Sequence, residues 1–303
     1  MRGRFKRVLI IADNEGSSGC WNYLASSFMT PEWASACVEM SRDVNTVVRA
    51  MFGAGIEEIR VKDFHRNGYN LLPELIDTRA QVIHGYRPRP VPGIGDPGIS
   101  EAVMFIGMHA ASGTEGFLAH TLTSRIKQLE VNGKPLPEVE LFAASLAPFG
   151  IKPIFFSGCP AACQQALMAI ANISIYPIEK SQGPDHFNVN SWREGLANAV
   201  VASLQNEQTE SYQPSGPFDV MIKMRDGKHA AQRIAQRWRF DRAGDQICFS
   251  TATAGELYIN LIRICYLTPL IEKTLPVGLI AYNLWGRVGL GRLRRHLNRL
   301  EQC

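Results

Sequence analysis

The sequence predicts an α/β fold: a mainly parallel sheet flanked by helices, with a smaller C-terminal α/β subdomain. Three observations carry this. Short, unbroken apolar runs at 7–13, 103–107, 151–156 and 173–176 have the character of strands covered on both faces. Helical apolar periodicity falls between them, at about 138–148 and 160–171. The first run also opens a complete β-α-β unit, whose crossover makes its two strands parallel.

In that unit, R-V-L-I-I-A-D at 7–13 is a buried strand that delivers Asp13 to its C-terminal edge, and a loop with Gly16 and Gly19 follows. Thr30-Pro31-Glu32 supplies an N-cap, a first-turn proline and an early acid. A helical stripe then runs through Trp33, Cys37, Met40, Val44, Val47, Val48 and Met51. Gly53 and Gly55 end the helix, and E-I-R-V-K-D at 58–63 alternates as a second strand. Residues 124–132 contain a further alternating segment, 188–206 reads as a helix, and 211–217 is a Ser/Pro/Gly-bearing connector. From 218 to about 271 the pattern is strand, helix, strand, helix. The expected organisation is a catalytic α/β domain at 1–210, a smaller α/β subdomain or sheet extension at 211–271, and a basic amphipathic tail at 272–303.

The chain has 303 residues, 46% hydrophobic and 20% charged, which excludes a disordered or fibrous protein and allows one large or two modest cores. Its net charge of +4 resides in the segment from Glu272 onward, which has six Lys/Arg against two acids. The remainder is balanced, so nucleic acid is excluded as a partner of the body. No apolar stretch is long enough to span a membrane. The seven cysteines are odd in number and form no C-x-x-C pair, and no secretory leader precedes the first strand, so a reduced, cytoplasmic setting is expected.

Three apolar strands end in groups that bind metals or titrate. Asp13-Asn14-Glu15-Gly16 closes the first, Asp63-Phe64-His65 the second and Gly107-Met108-His109 the third, with His120 in the loop beyond. In an open α/β sheet the ligand crevice lies outside the carboxyl ends of the strands, so such endings converge in space. Asp13 and Glu15, two apart, point the same way on a regular strand. Taken singly, a D-x-E turn or a strand-end histidine has an ordinary structural explanation. Together, two histidines with carboxylates make an N/O donor set of the kind Zn²⁺ accepts.

These residues resemble the zinc-dependent D-aminopeptidase family. The matching stretches are A-D-N-E-G-S-S-G at 12–19, V-K-D-F-H at 61–65, F-I-G-M-H-A at 105–110, A-H-T at 119–121 and V-N-G-K-P-L-P-E-V-E-L at 131–141, in the family's order and at similar spacing. The resemblance is strong to residue 145 and weaker to about 270. It implies two zinc ions per subunit, with ligands on Asp13, Glu15, His65, His109 and Glu138, and Asp13 bridging. Glu140 is a nearby rival to Glu138. The family's catalytic histidine falls on His120, as general acid/base or as nucleophile. The implied function is removal of an N-terminal residue, D-Ala-like, from short peptides by a ring-shaped homo-oligomer, commonly a decamer. Alternatives are a metal amidohydrolase acting on another amide or peptide metabolite, and a non-catalytic peptide-binding protein that keeps the site.

One stretch departs from the family. Where it commonly has an acidic G-D-D-like segment, this chain has Ser157-Gly158-Cys159-Pro160-Ala161-Ala162-Cys163. Cys159 and Cys163 can face one another on a helix, and packing is the preferred reading over a third metal site. His84 is expected to be structural, and His186, His229 and His296 to lie at the surface. Lys180 is expected to be a solvated loop lysine, with a pocket cation as the alternative. In the tail, a helix would set Leu293, Leu297 and Leu300 on one face and arginines on another. That pattern suits packing on its own domain, a subunit contact or an anionic membrane surface.

Overall fold

The computed structural model describes residues 4–206 and 208–302, so the extreme ends of the first and last predicted segments and residue 207 lie outside the described residues. The element order is β1 (Arg7–Ala12), α1 (Pro31–Gly53), β2 (Glu58–Asp63), β3 (Gln81–Ile83), β4 (Ala102–Met108), β5 (Ile126–Val131), β6 (Lys134–Pro135), α2 (Glu138–Leu146), β7 (Lys152–Gly158), α3 (Pro160–Ala169) and β8 (Ser174–Pro177). Then come α4 (Val189–Ser203), β9 (Phe218–Met224), α5 (Gly227–Trp238), β10 (Asp241–Ala243), β11 (Gln246–Thr251), α6 (Ala254–Tyr266), α7 (Pro269–Lys273) and α8 (Leu275–Gln302).

Six strands form a parallel sheet in the order β3-β2-β1-β4-β7-β8. Its unbroken apolar runs follow from cover on both faces. Val8 and Ile10 join a core with Met40, Val44, Val47 and Leu196 of α1 and α4. Leu9 and Ile11 face the opposite core, with Phe142, Ala162 and Leu261 of α2, α3 and α6. The chain winds outward from β1 in one direction and from β4 in the other, so the crevice at a topological switch point opens between these two strands. The predicted N-cap is present: Thr30 Oγ1 accepts from Trp33 N at 3.0 Å and starts α1.

A second, antiparallel sheet has the order β10-β11-β9-β5-β6. The β5–β6 hairpin comes from the middle of the chain and pairs with β9, so the sheet joins 126–135 to the segment from 218 onward. The hairpin runs directly into α2 and so sets the position of Glu138.

The alternation of β2 does not put one of its faces in water. Lys62 is fully buried, its ammonium donating to the Gly85 carbonyl and lying 5.3 Å from the Tyr86 ring centre. Burial lowers its pKa to about 8.

The tail forms one long helix. Leu290, Leu293 and Leu297 of α8 are buried against Trp33, Cys37, Val38, Tyr69 and Leu72, whereas Leu300 is exposed. Its earlier half leaves Val277, Ile280, Leu284 and Val288 largely exposed. Among the described residues, no helix is long and apolar enough to cross a membrane.

Candidate metal centre

Asp13 follows the last residue of β1, and His109 follows the last residue of β4, on either side of the switch point. The turn 13–16 is pressed against the end of β4. Gly16 N donates to Gly107 O at 2.7 Å. Gly107 has φ +78°, and a Cβ there would lie 2.1 Å from the Asp13 carbonyl oxygen, so only glycine fits. That close approach brings Asp13 and Glu15 to His109. The loop is pinned behind: Asn14 Nδ2 donates to Ala25 O at 2.8 Å, and Ser18 N and Oγ donate to buried Asp43 at 2.7 and 2.8 Å. Arg193 Nε of α4 donates to the same Asp43 carboxylate at 2.7 Å.

His65 follows β2 on a loop that Asp63 holds in place. The Asp63 carboxylate accepts from Asn70 N, from Asn70 Nδ2 at 2.9 Å and from Leu71 N at 2.8 Å. Asp63 is therefore structural, although the sequence sets it beside His65. Glu138 opens α2 behind the hairpin. There Thr121 Oγ1 donates to Leu136 O at 2.9 Å and accepts from Ser112 N at 3.0 Å, tying the loop after β4 to the start of the helix. Glu138 Oε1 accepts from Leu122 N at 2.6 Å. The rival Glu140 is turned elsewhere, its Oε2 accepting from Tyr212 Oη at 2.6 Å.

All six side chains singled out by the sequence meet on one cavity of about 700 Å³. Donor atoms of Asp13, Glu15 and His65 lie within 4.8 Å of one another, and so do those of His109, His120 and Glu138. Asp13 faces both groups, with Oδ1 3.0 Å from His65 Nδ1 and Oδ2 3.4 Å from His109 Nε2. His109 Nε2 is 3.7 Å from Glu138 Oε1.

The ring nitrogens show what this arrangement suits. His65 Nε2 donates to Ser26 O at 2.9 Å, and His109 Nδ1 donates to Ala110 O at 3.2 Å. A carbonyl only accepts, so each of these nitrogens carries hydrogen. The opposite nitrogen of each ring then faces carboxylates. Imidazoles that ligate metals are oriented in this way, one nitrogen on a backbone carbonyl and the other on the ion. Glu15 Oε2 is buried without a hydrogen bond, since the 2.8 Å approach of His65 Nδ1 lacks the alignment of one. A buried, unbonded carboxylate oxygen among imidazole nitrogens and acids is a donor set for a divalent N/O-binding cation.

The titration behaviour of these side chains reflects the same crowding. Burial, then Glu15, raises Asp13 above the usual carboxylate range. Burial pushes Glu138 up to about 7 despite His120. Burial works against ionised Glu15, yet His65 outweighs it and holds that carboxyl well below its ordinary value. Burial likewise opposes His65 imidazolium, but the adjacent Glu15 and Asp13 carboxylates raise it to about 10. His120 is lowered by burial and by His109, which disfavours its imidazolium form.

A family described as D-aminopeptidase matches residues 6–260. The chain belongs to the D-aminopeptidase family. Among curated relatives, a D-aminopeptidase of Bacillus subtilis (strain 168) is 24% identical over 144 residues, covering 47% of this chain and 52% of the relative. The match thus spans about half the length of that curated relative. Among solved structures, one described as the Zn-dependent D-aminopeptidase DppA from Bacillus subtilis, a self-compartmentalizing protease, superimposes with a TM-score of 0.76 at 18% identity. It covers 85% of this chain and 96% of that one, so the likeness is one of fold.

Other residues depart from their sequence reading or were not read at all. Lys180 is not a solvated loop lysine: it is half-buried, donates to the carbonyls of Ser17 and Cys20, and lies 4.4 Å from the Trp21 ring centre. It clamps the 17–20 loop. Cys159 and Cys163 are packed, as preferred, with Cys163 Sγ on Gly158 O and its thiol pushed up to about 12 by burial. His84 is structural, its Nε2 donating to Leu71 O at 2.9 Å and its ring stacked on Tyr69. Sequence reasoning missed Arg66, Tyr86, Tyr266, Tyr282 and Trp285, which also line the cavity.

Proposed function

We propose that this chain is a dizinc aminopeptidase that removes the N-terminal residue, D-Ala-like, from short peptides. The observation that carries this reading is Asp13, whose two carboxylate oxygens each face a separate donor group on the cavity floor. Asp13, Glu15 and His65 would hold one ion, and Asp13, His109 and Glu138 the other. Membership of the D-aminopeptidase family supports the reaction class, and the structural neighbour described as Zn-dependent supports the metal. Zinc in such a site supplies Lewis-acid polarisation of an amide carbonyl and acidifies water toward a pKa of about 7.

The chain's own groups supply the rest. His120 Nδ1 donates to Leu118 O at 2.8 Å, which leaves Nε2 with its lone pair. His120 accepts a proton there from the attacking water and returns it to the departing amine. The peptide's free α-amino group would lie beside these carboxylates and the ions they hold, which registers the cut one residue from the end. Among the described residues, Arg66 is the only Lys or Arg that lines the cavity, and it suits the carboxylate at a short peptide's other end.

The proposed division at 210 and 271 has a functional sense: every donor lies before 210, while Tyr266 and the pair Tyr282 and Trp285 approach from the two later segments. Self-association is proposed by likeness to the neighbour described as self-compartmentalizing, a ring of decamer size by the family resemblance, and a cytoplasmic setting from the unpaired cysteines. The alternative, a metal amidohydrolase acting on another amide, uses the same donor set, but the neutral 157–163 stretch that departs from the family does not line the cavity and gives it no support. A binding protein without turnover is disfavoured by the full set of converging donors.

The test is hydrolysis of D-Ala-D-Ala beside L-Ala-L-Ala by zinc-supplemented protein. Faster cleavage of the D-peptide supports the proposal. Equal rates contradict the stereochemical claim, and no cleavage of either contradicts the aminopeptidase.

A further inference from the structure

The family match ends at residue 260, and α8 begins beyond it, yet α8 supplies part of the cavity's wall. The later half of α8 is anchored through Leu290, Leu293 and Leu297. At Gly286 a Cβ would lie 2.1 Å from the Tyr69 ring, so glycine lets the helix press against the domain at this turn. Just before that anchor the helix meets the rim beside His65. Tyr282 Oη donates to Arg66 O at 3.3 Å, Asn283 Oδ1 accepts from Tyr86 N at 3.2 Å, and Trp285 packs edge-on to Phe28 with ring centres 5.5 Å apart. Tyr282 also stacks with Tyr86, the centres 6.3 Å apart.

Tyr282 and Trp285 are thus fixed in place, yet remain 42% and 52% exposed while lining the cavity. Two held aromatic faces at the rim of a cavity that also holds a cluster of acids and imidazoles give it an apolar wall beside a polar floor. An alanyl methyl is too short to cover such a wall, whereas a phenyl ring can stack on it.

We propose that Tyr282 and Trp285 are specificity-determining residues that receive a bulky apolar or aromatic side chain, so the chain prefers peptides bearing one over purely alanyl peptides. The proposal rests on the aminopeptidase reading above and deepens it, moving the preferred side chain from a D-Ala-like one to a bulkier one. The rings touch only the substrate's side chain and take no part in bond breaking. Their contribution is read as discrimination between peptides, of the order of tenfold to a hundredfold for an aromatic ring against a methyl.

The experiment compares D-Phe-D-Ala, D-Ala-D-Phe and D-Ala-D-Ala on the zinc-supplemented full chain and on the Trp285→Ala and Trp285→Leu variants. Both kinetics and calorimetric binding are measured. The expected result is that at least one phenylalanyl peptide exceeds D-Ala-D-Ala about tenfold in kcat/KM, mainly through KM. In both variants that ratio falls toward unity. The ratio is internal to each preparation, so a partly folded variant does not mimic the effect, and either variant suffices if the other is insoluble. A wild-type ratio near unity overturns the proposal, as does a ratio that neither substitution changes. If no peptide is cleaved, the aminopeptidase reading fails separately, and the same comparison of dissociation constants still decides the wall.

Discussion

The imidazole rings of His109 and His120 stack face to face, with centres 3.8 Å apart and planes 13° apart. His109 points its Nε2 at Asp13 and Glu138, while His120 sits above it on the loop whose backbone N–H donates to Ala110 O at 3.0 Å. One ring therefore belongs to the floor, and the other covers it from the substrate side. His120→Ala is expected to reduce kcat by about a hundredfold or more, with zinc content, measured by atomic absorption, kept at the wild-type value. Loss of metal in that variant would make His120 a ligand instead.

Glu138 and Glu140 are separated by one residue, yet their carboxylates have different partners. Glu138→Gln should lower zinc content by about one ion per chain and remove activity. Glu140→Gln weakens only the contact with Tyr212, so full metal content and a stability loss of about 1 kcal/mol are expected. Parallel metal analysis and urea unfolding of the two variants would check both statements.

Gly107 occupies a left-handed backbone conformation under the Asp13 carbonyl. Gly107→Ala meets both conformational strain and a backbone clash, and it should cost more than about 2 kcal/mol in urea unfolding. Because the same contact sets Asp13 against His109, zinc affinity should fall with it, as a chelator-competition titration would show.

Lys62 carries a pH prediction that does not involve the metal-competent residues. Its pKa is about 8 in the fold, below the usual 10.5, so between these values the unfolded chain binds more protons. The cost of holding a buried ammonium is complete below pH 8 and is relieved as pH rises toward 10.5. Lys62→Met removes that cost. The stability of the variant relative to the wild type should therefore fall by about 2–3 kcal/mol from pH 7 to pH 10.5. Urea unfolding at the two pH values would show it, and a pH-independent difference would contradict the assignment.

Much of this architecture was legible in the sequence because parallel strands buried on both faces must be apolar throughout, and such strands end where the ligand crevice lies. The Asp13, His65 and His109 endings could thus be read as one place. Glu138 came through resemblance, since its position depends on a hairpin that pairs with β9, more than 80 residues away. The aromatic wall was not legible: Tyr282 and Trp285 meet Arg66 and Phe28 across more than 200 residues, and nothing in local periodicity encodes such a contact. Lys180 was misjudged, and the burial of Lys62 was not read, for a related reason: their carbonyl partners become available only when distant loops close over them.

Metal stoichiometry probes the proposed centre at its root. Protein purified with added zinc, dialysed and analysed by plasma mass spectrometry should hold about two zinc ions per chain, falling well below that in Asp13→Ala. Less than one ion per chain in the wild-type protein, or an Asp13→Ala variant that retains both, would contradict the account.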